Sequence, residues 1–144
     1  EAIYFLKKAI ELENYNAEYW YALADAEYEL NNYKEAEEAY QKVIEYEPEN
    51  SDVWLDYTNL LAGQERKEEA IETLMEGIKT HPDCADLHYR MCCYLYADGR
   101  LKDAYEYFGN GLQLGPEKQV TVFEYMPGLD QDQNLLDLID LYKK

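Results

Sequence analysis

Apolar and small side chains recur at intervals of three and four between polar ones, which is the pattern of helices that bury a single stripe. Trp20, Leu23, Ala24 and Tyr28 form one such stripe, Asn31-Asn32 interrupts it, and Ala36, Tyr40, Val43 and Ile44 form a second. The same helix–turn–helix then returns with a period of 34 residues. Trp54 follows Trp20 at that interval; so do Ala36, Ala70 and Ala104, each behind an acid (Glu35, Glu69, Asp103). Tyr40, Leu74 and Phe108 share the spacing, as do Pro48, Pro82 and Pro116. The repeats are therefore 17–50, 51–84 and 85–118, abutting without a spacer. Each proline lies just past a second helix, where its missing N–H stops the ladder. The third repeat turns at Asp98-Gly99, where glycine suits a left-handed helix end. Val120-Thr121-Val122-Phe123 is the one strand-like run, and its place in the period predicts a helix.

The period extends in both directions. Ala2, Leu6, Ala9 and Ile10 occupy second-helix places, so 1–16 reads as the trailing half of an earlier repeat. Residues 119–126 predict another short first helix, cut off by Met126-Pro127-Gly128. The polar run from Asp130 to Asn134 offers a helix cap, and Leu135, Leu136, Leu138, Ile139 and Tyr142 then continue at helical spacing to Lys143-Lys144. A stack of repeats must cover its last apolar face, which makes this a capping helix; the other reading is a partner-binding amphipathic segment.

The pattern resembles the tetratricopeptide repeat (TPR) family, whose 34-residue unit carries Trp, Leu, small, aromatic, Ala and Pro at set places. The first repeat supplies Trp20, Leu23, Ala24, Ala36, Tyr40 and Pro48, and the second Trp54, Tyr57, Thr58, Leu61, Ala70, Leu74 and Pro82. The third supplies His88, Met91, Cys92, Leu95, Gly99, Ala104, Phe108 and Pro116. Glu27 departs from the pattern, standing where an aromatic is usual. So do Gly77 and Gly111, where alanine is usual, and these departures are expected to weaken local packing. The resemblance implies an all-α fold, a right-handed superhelical solenoid of antiparallel helix pairs, with 1–144 as a single domain.

Helix residues advance by about 100° each, so the fourth, seventh, eighth and eleventh places of a repeat share the packing face. The second, fifth, ninth, twelfth and thirteenth cluster on another. The resemblance implies that this second face lines a concave groove for extended peptides. Its occupants are Glu18, Tyr21, Asp25, Tyr28 and Glu29, then Asp52, Leu55, Asn59, Ala62 and Gly63, then Asp86, Tyr89, Cys93, Tyr96 and Ala97. Ala22, Asp56 and Arg90 adjoin it in the sixth place. Tyr40, Tyr94 and Tyr105 are expected between helices instead.

Composition narrows what such a groove would hold. Lys and Arg number 13 against 31 acids, a net charge of −18 and a pI near 4.3. That disfavours nucleic acid, whose affinity comes from basic side chains displacing counterions, and anionic membrane surfaces. Some TPR proteins grip acidic chaperone tails with a Lys, Asn and Arg clamp. Here those places hold Tyr21, Asp25 and Asp86, and Arg90 alone matches, so like charges would repel such a tail. Sixteen tyrosines against three phenylalanines favour rings whose hydroxyls meet water or a ligand. The expected ligand is a neutral or basic peptide whose Lys or Arg pairs with Asp25, Asp56 or Asp86; against this stands an acidic face that is merely solvated.

Candidates for chemistry have plainer readings. His81, Cys84, His88 and Cys92 invite a metal, but His88 takes the tryptophan place and Cys92 the small-residue place of the repeat. Cys93 would be a thiol on the groove face with no evident cation to lower its pKa. No phosphate loop, dinucleotide fingerprint or nucleophile elbow is present, so neither enzyme activity nor a cofactor or metal is expected. Three cysteines, an odd and sparse set, suggest a reducing, cytoplasmic setting. The chain opens without an initiator Met and is expected to be a piece of something longer. The function that follows is a protein–protein interaction scaffold or adaptor. The alternatives are a non-catalytic regulatory or substrate-recruiting appendage of a larger enzyme, and a module that self-assembles through the open helical face of 1–16.

Overall fold

A computed structural model describes residues 2–143. Among them are nine α-helices, two short 3₁₀ turns and no strand. In chain order the helices are α1 (Ala2–Leu12), α2 (Ala17–Glu29), α3 (Tyr33–Tyr46), α4 (Asp52–Gly63), α5 (Lys67–Thr80), α6 (Ala85–Ala97), α7 (Leu101–Leu114), α8 (Val120–Tyr125) and α9 (Gln133–Lys143). The 3₁₀ turns are Pro116–Gln119 and Pro127–Gln131, so proline starts both, where its fixed φ suits a first helical turn. The strand-like run at 120–123 is helical.

Helix boundaries follow local chemistry that recurs with the repeat. Asn16 Oδ1 accepts from the Glu18 N–H at 3.0 Å, and Asn50 Oδ1 accepts from Asp52 and Val53 at 3.0 and 3.3 Å, each closing a first turn. Among the described residues three adopt positive φ: Asn31 (64°), Glu65 (62°) and Gly99 (79°), one at the same place in each repeat. After Asn31 and Gly99 the next amide bonds back five residues, Asn32 to Glu27 O and Arg100 to Leu95 O, both at 2.9 Å. That closure ends a helix sharply and requires the left-handed residue. Glu65 adopts the left-handed region without glycine's freedom, at a cost of about 1 kcal/mol.

The chain divides into two compact bodies, Glu1–Glu65 and Arg66–Lys144. In the N-terminal body α2 packs on α1 and α3, and α3 on α4. Ala24, Ala36, Ala39 and Val43 are fully buried there, small residues that let α2 and α3 approach closely. In the C-terminal body α6 packs on α5, α7 and α8, and α7 on α9. Leu87, Met91, Phe108, Val122 and Leu135 lie in its core. The terminal amphipathic stretch thus packs as a helix on α7, burying Leu135 and Ile139.

Two unusual residues have local explanations. Glu27 is buried and its Oε1 accepts from Asn32 Nδ2 at 2.9 Å, so the acid ties its helix to the turn that follows. His88 Nε2 lies 2.9 Å from Pro82 O, six residues back, just as Trp20 Nε1 donates to Asn14 O at 2.8 Å. Facing a carbonyl, that nitrogen carries the proton, and the imidazole reproduces the indole's bond.

Candidate functional site

The candidate residues divide between the two bodies, and each set has its own geometry. In the N-terminal body the faces of α2 and α4 bring acids and tyrosines together. Tyr21 donates its hydroxyl to Asp56 Oδ2 on the neighbouring first helix. Tyr40, buried on α3, donates to Asp25 Oδ1 at 3.0 Å. Its ring lies 6.1 Å from Tyr21, edge to face, and 6.3 Å from Tyr57, stacked. Glu18, Asp25, Asp52 and Asp56 are exposed, while Tyr21, Tyr28, Leu55 and Asn59 are half-buried. Tyr28 packs edge to face on Tyr33 at 5.7 Å.

The electrostatics of this cluster follow from crowding negative charge. Burial, the hydrogen bond to Asp56 and the charges of Asp56, Asp25 and Asp52 push the Tyr21 hydroxyl far above its usual range. Burial and Asp25 do the same to Tyr40. Both hydroxyls therefore remain donors through the neutral range. Burial raises the Asp25 carboxyl; the bond from Tyr40 opposes this, and the charges of Asp56 and Glu29 add to it. None of the ion pairs among the described residues involves Asp25 or Asp56.

In the C-terminal body the corresponding side chains are occupied by the chain itself. Tyr89 is fully buried rather than facing a groove, its hydroxyl donating to Gly115 O at 2.8 Å and its ring 5.6 Å from Phe108. Gly111 makes this possible, since a Cβ there would stand 2.5 Å from the Tyr89 ring. That glycine creates room instead of weakening the packing. Cys93 is also buried, beside Val122 O, and burial pushes its thiol up to about 12 although Arg90 partly opposes this. The residue is 1% exposed, inside the packing of the C-terminal body. The segment that follows α7 packs on α6 and reaches both positions, Gly115 accepting from Tyr89 and Val122 lying beside Cys93.

The remaining candidates there have internal partners. Asp86 pairs with Lys118 at 3.4 Å, a lysine that place-by-place reading of the first helices does not reveal. The Arg90 guanidinium lies over the Tyr125 ring, 4.2 Å from its centre. Tyr96 donates to Asp132 Oδ2 at 2.6 Å, a bond that with burial pushes its hydroxyl up to about 12. Among the described residues no three His, Cys, Asp or Glu side chains converge as a metal site, and no helix is long and apolar enough to cross a membrane.

Comparison with known proteins decides the family. The family model for the tetratricopeptide repeat matches residues 1–45 and 31–91, more than half of the chain. The chain is a member of the tetratricopeptide repeat family. Solved structures share the fold of this TPR chain. One MamA protein is 23% identical with a TM-score of 0.69, covering 83% of this chain, which spans 64% of it. MamA 41-end from Desulfovibrio magneticus RS-1 is 18% identical with a TM-score of 0.69, covering 98% of this chain and 81% of that one. YrrB, described as a TPR protein with an unusual peptide-binding site, is 19% identical with a TM-score of 0.64, covering 97% and 74%. No curated protein matches the chain by sequence. An all-helical TPR chain of this kind is a protein–protein interaction scaffold.

Proposed function

We propose that the N-terminal body binds an extended, neutral or basic protein segment across the exposed faces of α2 and α4. The observation that carries this reading is the pair Asp25 and Asp56. Each is oriented by a tyrosine hydroxyl, and neither has a basic partner among the described ion pairs. A ligand Lys or Arg brings the missing charge, and the rings of Tyr21 and Tyr28 offer it an aromatic face. Tyr21, Asp25, Tyr28, Asp52, Leu55, Asp56 and Asn59, with Glu18 at the rim, form the binding set. Asp86, Arg90 and Tyr96 are engaged internally and belong to the C-terminal body's own packing. A peptide-binding site in a protein of the same fold, YrrB, supports the class of ligand.

The reading is tested with labelled peptides that differ in lysine and arginine content, followed by fluorescence anisotropy. Lys- or Arg-bearing peptides bind more tightly than acidic ones, and Asp25→Asn with Asp56→Asn weakens them about tenfold or more while helicity is unchanged. Equal affinity for acidic peptides, or undiminished binding by the double variant, removes the proposal.

A further inference from the structure

Tyr40, Leu74 and Phe108 occupy one core place of the second helix, and all three are at most 3% exposed. Apolar side chains fill that place in two of the repeats, so packing alone does not call for the Tyr40 hydroxyl. Its counterpart lies in the same repeat. Asp25, Asn59 and Cys93 stand at the ninth place of the first helix, and the repeat with the hydroxyl is the one with the acid. Tyr40 donates from α3 to Asp25 Oδ1 on α2 at 3.0 Å. Its ring meets Tyr21 edge to face at 6.1 Å, and Tyr21 donates in turn to Asp56 Oδ2 on α4. Asp25 stands four residues after Tyr21, so the two point the same way from α2. Two rings in contact thus hold two exposed carboxylates, each by one oxygen. Burial raises the Asp25 carboxyl, the Tyr40 bond opposes this, and the charge of Asp56 adds to the rise, so the two acids feel one another.

We infer that Tyr40 and Tyr21 are positioning residues of an arginine-recognition site. One guanidinium of an extended protein segment lies on the Tyr21 ring and donates to the remaining oxygens of Asp25 and Asp56. This rests on the reading that α2 and α4 bind a neutral or basic segment, and it narrows the recognised side chain to arginine. Each carboxylate has one oxygen committed to a phenol, which disfavours a two-oxygen fork on a single acid and favours a cation that spreads its N–H groups over both. A guanidinium carries five such donors in one plane, an ammonium three on one atom. The plane also stacks. Within this chain Arg90 lies 4.2 Å from the centre of the Tyr125 ring, whereas Lys8 and Lys42 stand 5.7 and 5.6 Å from the rings of Tyr4 and Tyr46. A guanidinium is also the more weakly hydrated cation, so it loses less on meeting a half-buried ring. Against Glu18, Asp25, Glu27, Glu29, Asp52 and Asp56, α2 and α4 contain no Lys or Arg, so these helices supply no cation of their own.

The test uses the whole chain and two short labelled peptides, identical except for a central Arg or Lys, followed by fluorescence anisotropy. The Arg peptide is expected to bind about tenfold more tightly than its Lys twin. Tyr40→Phe keeps the ring in the core and removes the donor to Asp25, and it brings the two peptides within about threefold of one another. A role confined to packing would weaken both peptides alike and leave their ratio unchanged. Tyr21→Phe, at a half-buried place, removes the donor to Asp56 with the same effect, and it carries the test if circular dichroism shows Tyr40→Phe unfolded. Equal affinity of the native chain for both peptides, or a ratio that survives loss of the hydroxyls, overturns the inference and leaves the broader reading standing. Binding of neither peptide up to about 1 mM overturns both.

Discussion

Tyr89 shows how a single side chain can depart from its place in a repeat. The fifth residue of α2, Tyr21, is half-buried and bonded to an acid, whereas Tyr89 in the same place of α6 is fully buried. Its hydroxyl is satisfied by Gly115 O, as burial of a polar group demands. Its ring occupies the space that a Cβ on residue 111 would need. Gly111→Ala is therefore expected to destabilise the protein by about 1–3 kcal/mol through overpacking. Tyr89→Leu should recover part of that loss in the Gly111→Ala background but cost stability alone; strictly additive thermal shifts would show that the two residues do not compete for space. The signal was present in the chain, as a glycine where alanine is usual together with a tyrosine in the preceding helix. Helical periodicity could not read it, because the two residues meet only after α6 and α7 pack.

Among the elements, α9 depends on one carboxylate. Asp132 Oδ1 accepts the Asn134 and Leu135 amides at 2.8 and 3.2 Å, capping the helix. Its Oδ2 accepts from Tyr96 at 2.6 Å and Tyr105 at 2.9 Å, tying that cap to α6 and α7. Burial pushes this carboxyl up, but the four donors outweigh it and hold it below the ordinary aspartate range. A lowered folded pKa gives stability that is present above the unfolded value of about 3.9 and lost as pH falls through the folded one. Asp132→Ala should cost about 1–2 kcal/mol at neutral pH, and the difference from the native chain should shrink in acid. Amide exchange localised to α9 is the sharper readout; unchanged protection there would dissociate the cap from the helix. The polar run before α9 was legible as a cap, but the choice of Asp132 and its tyrosine partners was not. Tyr96 lies 36 residues away along the chain, a pairing that no local pattern encodes.

For the whole chain the dominant fact is a net charge of −18. The described ion pairs are mostly exposed neighbours on one helix, such as Lys8–Glu11 and Lys79–Glu76, which contribute little. Mutual repulsion among the acids outweighs them, so raising NaCl from about 0.02 to 0.5 M should raise the melting temperature by screening. A lower melting temperature in salt would mean that specific ion pairs dominate instead. Periodicity and spacing along the chain were enough for the helices, the turns, the stop after each second helix and the family, because those depend on neighbours three, four or 34 residues apart. Which acids pair with a cation, and which tyrosines are buried, was settled by packing. Lys118 reaches Asp86 across 32 residues, Val122 covers Cys93, and Gly111 admits Tyr89. A repeat gives equivalent places the same direction, but what stands opposite each one depends on the neighbouring element, and those elements differ from repeat to repeat.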